Sequence, residues 1–208
     1  KNRVHGVVAV EAVNFAKEAI EALKDGAEVD YEELYISVPT PDDNYVYQDP
    51  KENIPNKLTL SNGDTVNVTF VTHTSDNKSS NQKVAVELVN SMKFALEQAN
   101  NNLSLANKIT SINVYATTNG HGTTGSSNHL KATAVDINSI NGKRMALTGL
   151  TNQIIELQKA FDNFQYIREN FGPFFKHKFS KENPIGSQWN YNYPVSGHKD
   201  HIHISIRK

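Results

Sequence analysis

The stretch DHIHISI at residues 200–206 alternates polar and apolar side chains with the period of a half-buried β-strand. Its three isoleucines share one face and are predicted to enter the core. The opposite face carries His201, His203 and Ser205. Because side chains two residues apart on a strand lie about 6.6–6.8 Å apart at the backbone, the two histidines are expected to stand side by side. The stretch predicts a strand with one structural face and one face available for chemistry.

Hydrophobic periodicity predicts helices and strands along the rest of the chain. Strands are predicted at 31–38, 109–117 and 133–138, and helices at 8–24, 83–99 and 149–170. An Asn62-Gly63 turn joins residues 58–60 to residues 66–70 in a predicted hairpin. Loops are predicted at 40–57 and 118–128. Together these elements predict an α+β fold, in which an antiparallel sheet with flanking helices carries the functional site.

A polar, turn-prone segment at residues 73–82, HTSDNKSSNQ, is the predicted domain boundary. Residues 1–75 are expected to form a small αβ region, and residues 76–208 the domain that carries the site. The sequence leaves open whether the first region is an accessory domain or an integral part of the second.

The composition excludes several classes of protein. The chain has 208 residues, of which 38% are hydrophobic and 21% charged, as in a globular domain with or without a small accessory piece. A net charge of -1 and a pI of 6.8 disfavour a general nucleic-acid binder. No run approaches the ~18 apolar residues of a membrane span. The absence of cysteine excludes disulfides, thiolate metal sites and cysteine nucleophiles. Because the chain begins with Lys rather than Met, we expect a processed chain without its targeting signal.

Two clusters contain residues that suit a metal site. Residues 198–203 hold three of the eight histidines, and residues 127–136, SNHLKATAVD, place His129 at a loop end and Asp136 on the following strand. The alternative is a solvated strand face that merely tolerates histidine. Two imidazoles and one carboxylate, together with a water, are the ligand set of a catalytic zinc site. Magnesium and calcium prefer all-oxygen sites, so this set favours zinc.

The two clusters together resemble a family of zinc peptidases. The family includes the D-alanyl-D-alanine metallopeptidases, the phage L-alanyl-D-glutamate endolysins, the lysostaphin-type enzymes and the hedgehog signalling domain. Its pattern is Ser-x-His-x6-Asp, often written His-x-x-Gly-x-Ala-x-Asp, followed downstream by His-x-His. The residues that match are Ser127, His129, Ala134, Asp136 and His201-Ile202-His203. The resemblance implies one Zn²⁺ per chain, bound by His129, Asp136 and His203.

The resemblance also implies peptide-bond hydrolysis, with peptidoglycan stem or cross-bridge peptides as substrates. Different members handle the proton with residues that correspond here to Asp200, His201 or His198, and the choice between Asp200 and His201 stays open. A bacterial or phage protein that is secreted, periplasmic or associated with the cell wall is implied. The competing interpretation is a non-catalytic zinc module of hedgehog-like fold that binds a partner.

Some positions depart from the family pattern or add to it. Ala132 stands where glycine is usual, and residues 115–118 lack the arginine that holds a substrate carboxylate in many members. This leaves open an endopeptidase, or a carboxypeptidase that uses another cation such as Arg144 or Lys131. The expected substrate contacts are Ser127, Tyr115 and Trp189. The GHGTTG loop at residues 120–125 is not followed by a helix, so it predicts a rim of the cleft rather than a dinucleotide site.

Overall fold

The structure is a computed structural model that describes residues 3–4, 28–29, 50–121, 127–179 and 189–207. The chain divides into two compact units, Lys1–Asp42 and Asp43–Lys208. In the first unit, strand β1 (Arg3–Val4) pairs in parallel with β2 (Glu28–Val29). The predicted helix at 8–24 and the predicted strand at 31–38 lie outside the described residues.

The second unit contains the remaining strands and helices. Its strands are β3 (Lys51–Asn53), β4 (Lys57–Thr59), β5 (Thr65–Phe70), β6 (Lys83–Ala85), β7 (Ser111–Ala116), β8 (Ala134–Ile140), β9 (Lys143–Arg144), β10 (Ile167–Phe171), β11 (Lys176–Phe179), β12 (Trp189–Asn190) and β13 (Ile202–Ile206). Its helices are α1 (Val86–Asn102), a 3-10 turn at Leu105–Asn107, α2 (Met145–Thr148) and α3 (Asn152–Asp162).

A mixed, mostly antiparallel sheet organises this unit. The strand order is β12-β11-β10-β13-β8-β7-β5-β4, and β9 pairs with β8. Strands β5 and β7 run parallel, while the other neighbours in the sheet are antiparallel. A separate two-stranded sheet joins β3 to β6. The α+β class predicted from the sequence is therefore confirmed at this level.

The apolar face of the sheet packs with the helices in one core. The three isoleucines of β13 are fully buried there, and α1 contributes Leu88, Met92 and Leu96 to the same cluster. Helix α3 begins after Thr151, whose side chain accepts a hydrogen bond from the backbone N–H of Ile154. Since β13 lies between β10 and β8, the polar side chains on its other face meet side chains from both neighbours.

The predicted helix at 149–170 is wrong in its second half. Helix α3 ends at Asp162, and Ile167–Phe171 form β10. Every residue of β10 is buried, because the strand lies between β11 and β13 with both faces covered. Such a strand lacks the alternation of polar and apolar residues that identifies a half-buried strand.

Two short strands and the domain boundary also differ from the predictions. Residues 51–53 fall in a predicted loop and residues 83–85 in a predicted helix, yet they pair as β3 and β6, a long-range contact that local pattern does not encode. The predicted hairpin is confirmed, but β5 pairs with β7 in the main sheet. Residues 43–75 therefore belong to the second unit, and the division lies after Asp42 instead of at residue 75. Among the described residues, no helix combines the length and apolar character needed to cross a membrane.

Candidate metal centre

Two neighbouring strands and one tight turn bring the three predicted ligands together. The register of β13 against β8 places His203 directly opposite Asp136. Opposite residues on antiparallel strands point to the same face of the sheet. The turn before β8 carries His129, and the backbone N–H of Ala132 closes it on the His129 carbonyl at 2.9 Å. Strand register and turn geometry thus direct all three side chains to one place.

The ligand atoms of these residues converge. His129 Nε2 lies 3.2 Å from His203 Nδ1 and 3.3 Å from Asp136 Oδ1. His203 Nδ1 lies 2.8 Å from Asp136 Oδ1. Ligand atoms at zinc distances of about 2.0–2.1 Å stand about 3.3 Å apart in tetrahedral geometry, close to these separations. All three residues are buried, with 3%, 6% and 8% of the surface of His129, Asp136 and His203 exposed.

The far side of each imidazole is occupied by an acceptor. His129 Nδ1 donates to the carbonyl oxygen of Thr117. His203 Nε2 lies 3.2 Å from Glu169 Oε2, so it donates to that carboxylate. A neutral imidazole has one N–H and one lone pair, and the N–H of each ring is used in these bonds. His129 Nε2 and His203 Nδ1 therefore present lone pairs toward Asp136.

Three acceptor atoms that face one another require positive charge between them. Without a metal, a second proton on His203 supplies that charge. Burial alone lowers the pKa of His203, but hydrogen bonds with Asp136 and Glu169 prevail and raise it to about 10. Burial alone raises the pKa of Asp136, and the two histidines hold it well below its usual range. The cluster could therefore hold a cation, and a metal ion in place of the proton would satisfy all three acceptor atoms.

His121 is a fourth histidine at this site. Ligand atoms of His121, His129 and Asp136 lie within 4.8 Å of one another, a group that could hold a metal ion. The rings of His121 and His129 are stacked, with centroids 3.8 Å apart and planes 7° apart. Because imidazole binds metal through a lone pair in the ring plane, two parallel stacked rings cannot both direct lone pairs at one ion. In this arrangement His203 Nδ1 is better placed than His121 to share an ion with His129 and Asp136, and His121 covers the His129 ring.

His198 is the predicted proton-handling residue that lies against the cluster. Its ring centroid is 5.7 Å from that of His203. Its backbone is left-handed, with φ of 63°, a conformation uncommon outside glycine. Its Nδ1 donates to the Ser196 carbonyl at 2.9 Å, which leaves Nε2 as a proton acceptor. Burial, followed by the positive charge on His203, lowers the pKa of His198 to about 4, so the ring is neutral at pH 7.

Asp200 and His201 form a pair with each other. His201 Nδ1 lies 2.8 Å from Asp200 Oδ1, and this hydrogen bond lowers the pKa of Asp200. The His201 ring lies 4.9 Å from that of His198. Strand β13 begins at Ile202, so strand alternation no longer argues that His201 lies beside His203. Both members of the pair stay candidates for proton transfer.

The predicted substrate contacts occupy different settings. Ser127 Oγ accepts a hydrogen bond from the backbone N–H of His129 at 3.3 Å, so it shapes the ligand turn. Tyr115 is 49% exposed on β7. Trp189 begins β12. Their contact with a substrate stays a prediction.

The segment predicted as a domain boundary supports His129. Thr117, whose carbonyl accepts from His129, donates through its hydroxyl to the Ser80 carbonyl at 2.6 Å. Ser80 Oγ in turn donates to the Val114 carbonyl at 2.7 Å, and Asn119 Oδ1 accepts from the Thr117 N–H at 2.8 Å. Ser80, Thr117 and Asn119 are buried. Ser80, within residues 73–82, therefore holds the end of β7, where the Thr117 carbonyl orients the His129 ring, a role that the polar composition of the segment did not predict.

Comparisons of the chain with protein-family models, with curated proteins and with solved structures find no match.

The left-handed backbone of Ala132 explains why glycine is usual in this position of the resembled pattern. With φ of 59°, Ala132 adopts a conformation that costs a non-glycine residue about 1–2 kcal/mol. We expect Ala132→Gly to change the free energy of unfolding little, because relief of strain offsets the lost methyl burial of about 0.8 kcal/mol and the added chain entropy. Ala132→Val should destabilise by about 1–3 kcal/mol, since a β-branched residue tolerates this φ poorly. Urea unfolding of the two variants measures this difference. Equal free energies of unfolding for Ala132→Gly and Ala132→Val would contradict the prediction.

The metal-free protein is expected to be most stable near pH 6.5. Above that pH the unfolded chain loses a proton that folded His203 keeps until about pH 10, so the free energy of unfolding falls. Below pH 6.5 the unfolded chain binds a proton that folded His198 does not bind until about pH 4. The free energy of unfolding therefore also falls toward acid pH. Urea unfolding in chelator across pH 4–9 measures this curve. Added zinc should restore stability mainly on the alkaline side, and a curve that keeps rising to pH 9 in chelator would contradict the expectation.

Proposed function

We propose that the protein is a zinc-dependent peptidase that cleaves stem or cross-bridge peptides of peptidoglycan. The observation that carries the proposal is the convergence of His129 Nε2, Asp136 Oδ1 and His203 Nδ1 at separations of 2.8–3.3 Å. The outer contacts with Thr117 and Glu169 leave a lone pair on each imidazole directed to the same point. Two nitrogens and one oxygen form the donor set of a catalytic zinc site with an open position.

The ligand set suits zinc better than a hard cation. Imidazole is a good ligand for zinc, whereas calcium and magnesium select oxygen atoms. A zinc ion held here would polarise a substrate carbonyl and make a bound water acidic enough to attack near neutral pH.

The residues beside the ligands supply the proton transfer that peptide hydrolysis needs. Neutral His198, with its free Nε2, can accept a proton from the attacking water and return it to the leaving amine. Asp200 fixes the His201 ring through Nδ1 and leaves Nε2 as a second proton-transfer atom. A module that only binds a partner has no need of these groups, so their presence favours the enzyme over a non-catalytic zinc module.

The substrate class comes from the resemblance to the peptidoglycan-cleaving zinc peptidases. An endopeptidase or a D,D-carboxypeptidase of this type acts where peptidoglycan is, and the proposal therefore places the protein outside the cytoplasm, secreted, periplasmic or bound to the cell wall.

Digestion of purified peptidoglycan tests the proposal. The protein is incubated with peptidoglycan alone, with a chelator, and with the chelator followed by excess zinc, and released fragments are identified by mass spectrometry. We expect new peptide termini that disappear with chelator and return with zinc. One bound zinc per chain without cleavage would support the partner-binding module instead, and the absence of bound zinc would overturn both.

A further inference from the structure

We propose that Glu169, held in place by Lys178, is a positioning residue that fixes the His203 ring with Nδ1 facing the metal. The inference rests on the proposed function only in that it requires a metal at His129, Asp136 and His203. Glu169 lies on β10, the strand that the sequence pattern did not distinguish from a helix, and no local motif marks it. It is buried and lies beside the His203 ring.

Every contact of the Glu169 carboxylate is to a donor. Oε2 lies 3.2 Å from His203 Nε2 and accepts from Ser205 Oγ at 2.8 Å and from Asn128 Nδ2 at 2.6 Å. Oε1 forms an ion pair with Lys178 Nζ at 3.0 Å. A carboxylate with this many fixed donors has no freedom to turn away from the imidazole. The His203 ring therefore has a defined orientation.

Strand register builds these contacts into the sheet. Glu169 lies opposite Ser205 on β13 and opposite Lys178 on β11. Asp136 lies opposite His203 on the next strand. Acidic and basic groups thus alternate across four adjacent strands, in the order Asp136, His203, Glu169 and Lys178. The Lys178 ammonium also stands 4.2 Å from the centre of the Tyr193 ring.

This arrangement has a direct consequence for metal binding. Because Glu169 accepts only, it holds the His203 proton on Nε2 and leaves the Nδ1 lone pair toward Asp136. Lys178 balances the buried negative charge, so the carboxylate need not be released to water or be neutralised by another group. Outer partners of metal-binding histidines typically contribute 10- to 100-fold to metal affinity.

Zinc affinity of four variants, measured by competition with a chromophoric chelator, tests the proposal. Glu169→Ala should weaken zinc binding about 10- to 100-fold. Glu169→Gln should weaken it less, because an amide oxygen still accepts from Nε2, and Lys178→Met should fall between the two. Asp162→Ala is the matched control: it removes a half-buried carboxylate that lies 2.7 Å from His177 Nδ1 and accepts from Asn170 Nδ2 at 2.6 Å, and it touches no proposed ligand. Its zinc affinity should match that of the unchanged protein.

A second readout reports on the His203 ring itself. In the protein loaded with Co²⁺, the N–H protons of His129 and His203 should give two slowly exchanging, paramagnetically shifted proton resonances. Glu169→Ala should lose the His203 resonance to fast exchange with water and keep that of His129, whose N–H is bonded to the Thr117 carbonyl. Glu169→Gln should keep both.

The outcomes separate this inference from the proposed function. Unchanged zinc affinity and two resonances in Glu169→Ala, or equal losses in Glu169→Ala and Asp162→Ala, would overturn the positioning role while leaving the peptidase proposal standing. If Glu169→Ala does not fold, the zinc affinities of Glu169→Gln and Lys178→Met are compared with that of the control. Affinities equal to the control would overturn the positioning role. Zinc binding that depends on Glu169 without any peptidoglycan cleavage would support the inference and overturn the peptidase. A chain that binds no metal would overturn both.

Discussion

The His203→Ala variant is expected to lose stoichiometric zinc and all metal-dependent cleavage, and to be less stable even in chelator by about 3–5 kcal/mol. The change removes one of the three proposed protein ligands, and two are fewer than a catalytic zinc site uses. In the metal-free protein the same change leaves the buried carboxylates of Asp136 and Glu169 without the imidazolium between them. Metal content after dialysis and urea unfolding in chelator measure the two effects separately.

His73→Ala is the matched control for that experiment. His73 is exposed and lies apart from the ligands in the sequence, so the same chemical change there should leave zinc content and stability as they are. A His203→Ala protein that keeps one zinc per chain would show that His203 is not a ligand. In that case His121, already adjacent to His129 and Asp136, would be the residue to replace next.

Replacing the proton-handling groups is expected to give the opposite combination, full zinc and little turnover. His198→Ala should lower the turnover number about 10²–10⁴-fold, the usual contribution of a general acid or base. Asp200→Ala and His201→Ala should each lower turnover as well, because the 2.8 Å contact makes them one unit. The Asp200→Ala/His201→Ala double variant should then be no slower than the slower single variant.

Zinc content distinguishes a proton-handling residue from a ligand in this series. Loss of metal in His198→Ala, Asp200→Ala or His201→Ala would mean that a ligand has been assigned a proton-handling role. Additive losses in the double variant would show that Asp200 and His201 act separately. Turnover of His198→Ala equal to that of the unchanged protein would leave the Asp200–His201 pair as the source of the proton transfer.

The resemblance groups His129, Asp136 and His203, and local periodicity agrees with the elements on which they lie. The alternation of residues 200–206 places His203 on the polar face of a strand, and the spacing between His129 and Asp136 fits a turn followed by a strand. Local periodicity does not identify Glu169. Strand β10 is buried on both faces, so its pattern carries no period of two, and its pairing with β13 is a long-range contact.

The supporting contacts of the site are the part that sequence reasoning misses. The polar segment 73–82 is typical of a linker, but its Ser80 is fully buried under the end of β7. Hydrogen bonds from a serine or threonine to a distant carbonyl leave no mark on composition. The stacking of His121 on His129 is likewise a tertiary contact, and a loop rich in glycine and serine gives no sign of it in the sequence.

The position of β13 also bears on how the protein folds during synthesis. This strand sits between β8 and β10, yet it follows both along the chain. Until the ribosome has released β13, the edges of β8 and β10 that it will pair with are unpaired in the nascent chain. Unpaired strand edges are prone to pair with other chains. The arrival of residues 202–206 would then close the sheet and bring His203 to His129 and Asp136 in the same step. Loading of the proposed metal would report that this sheet has closed.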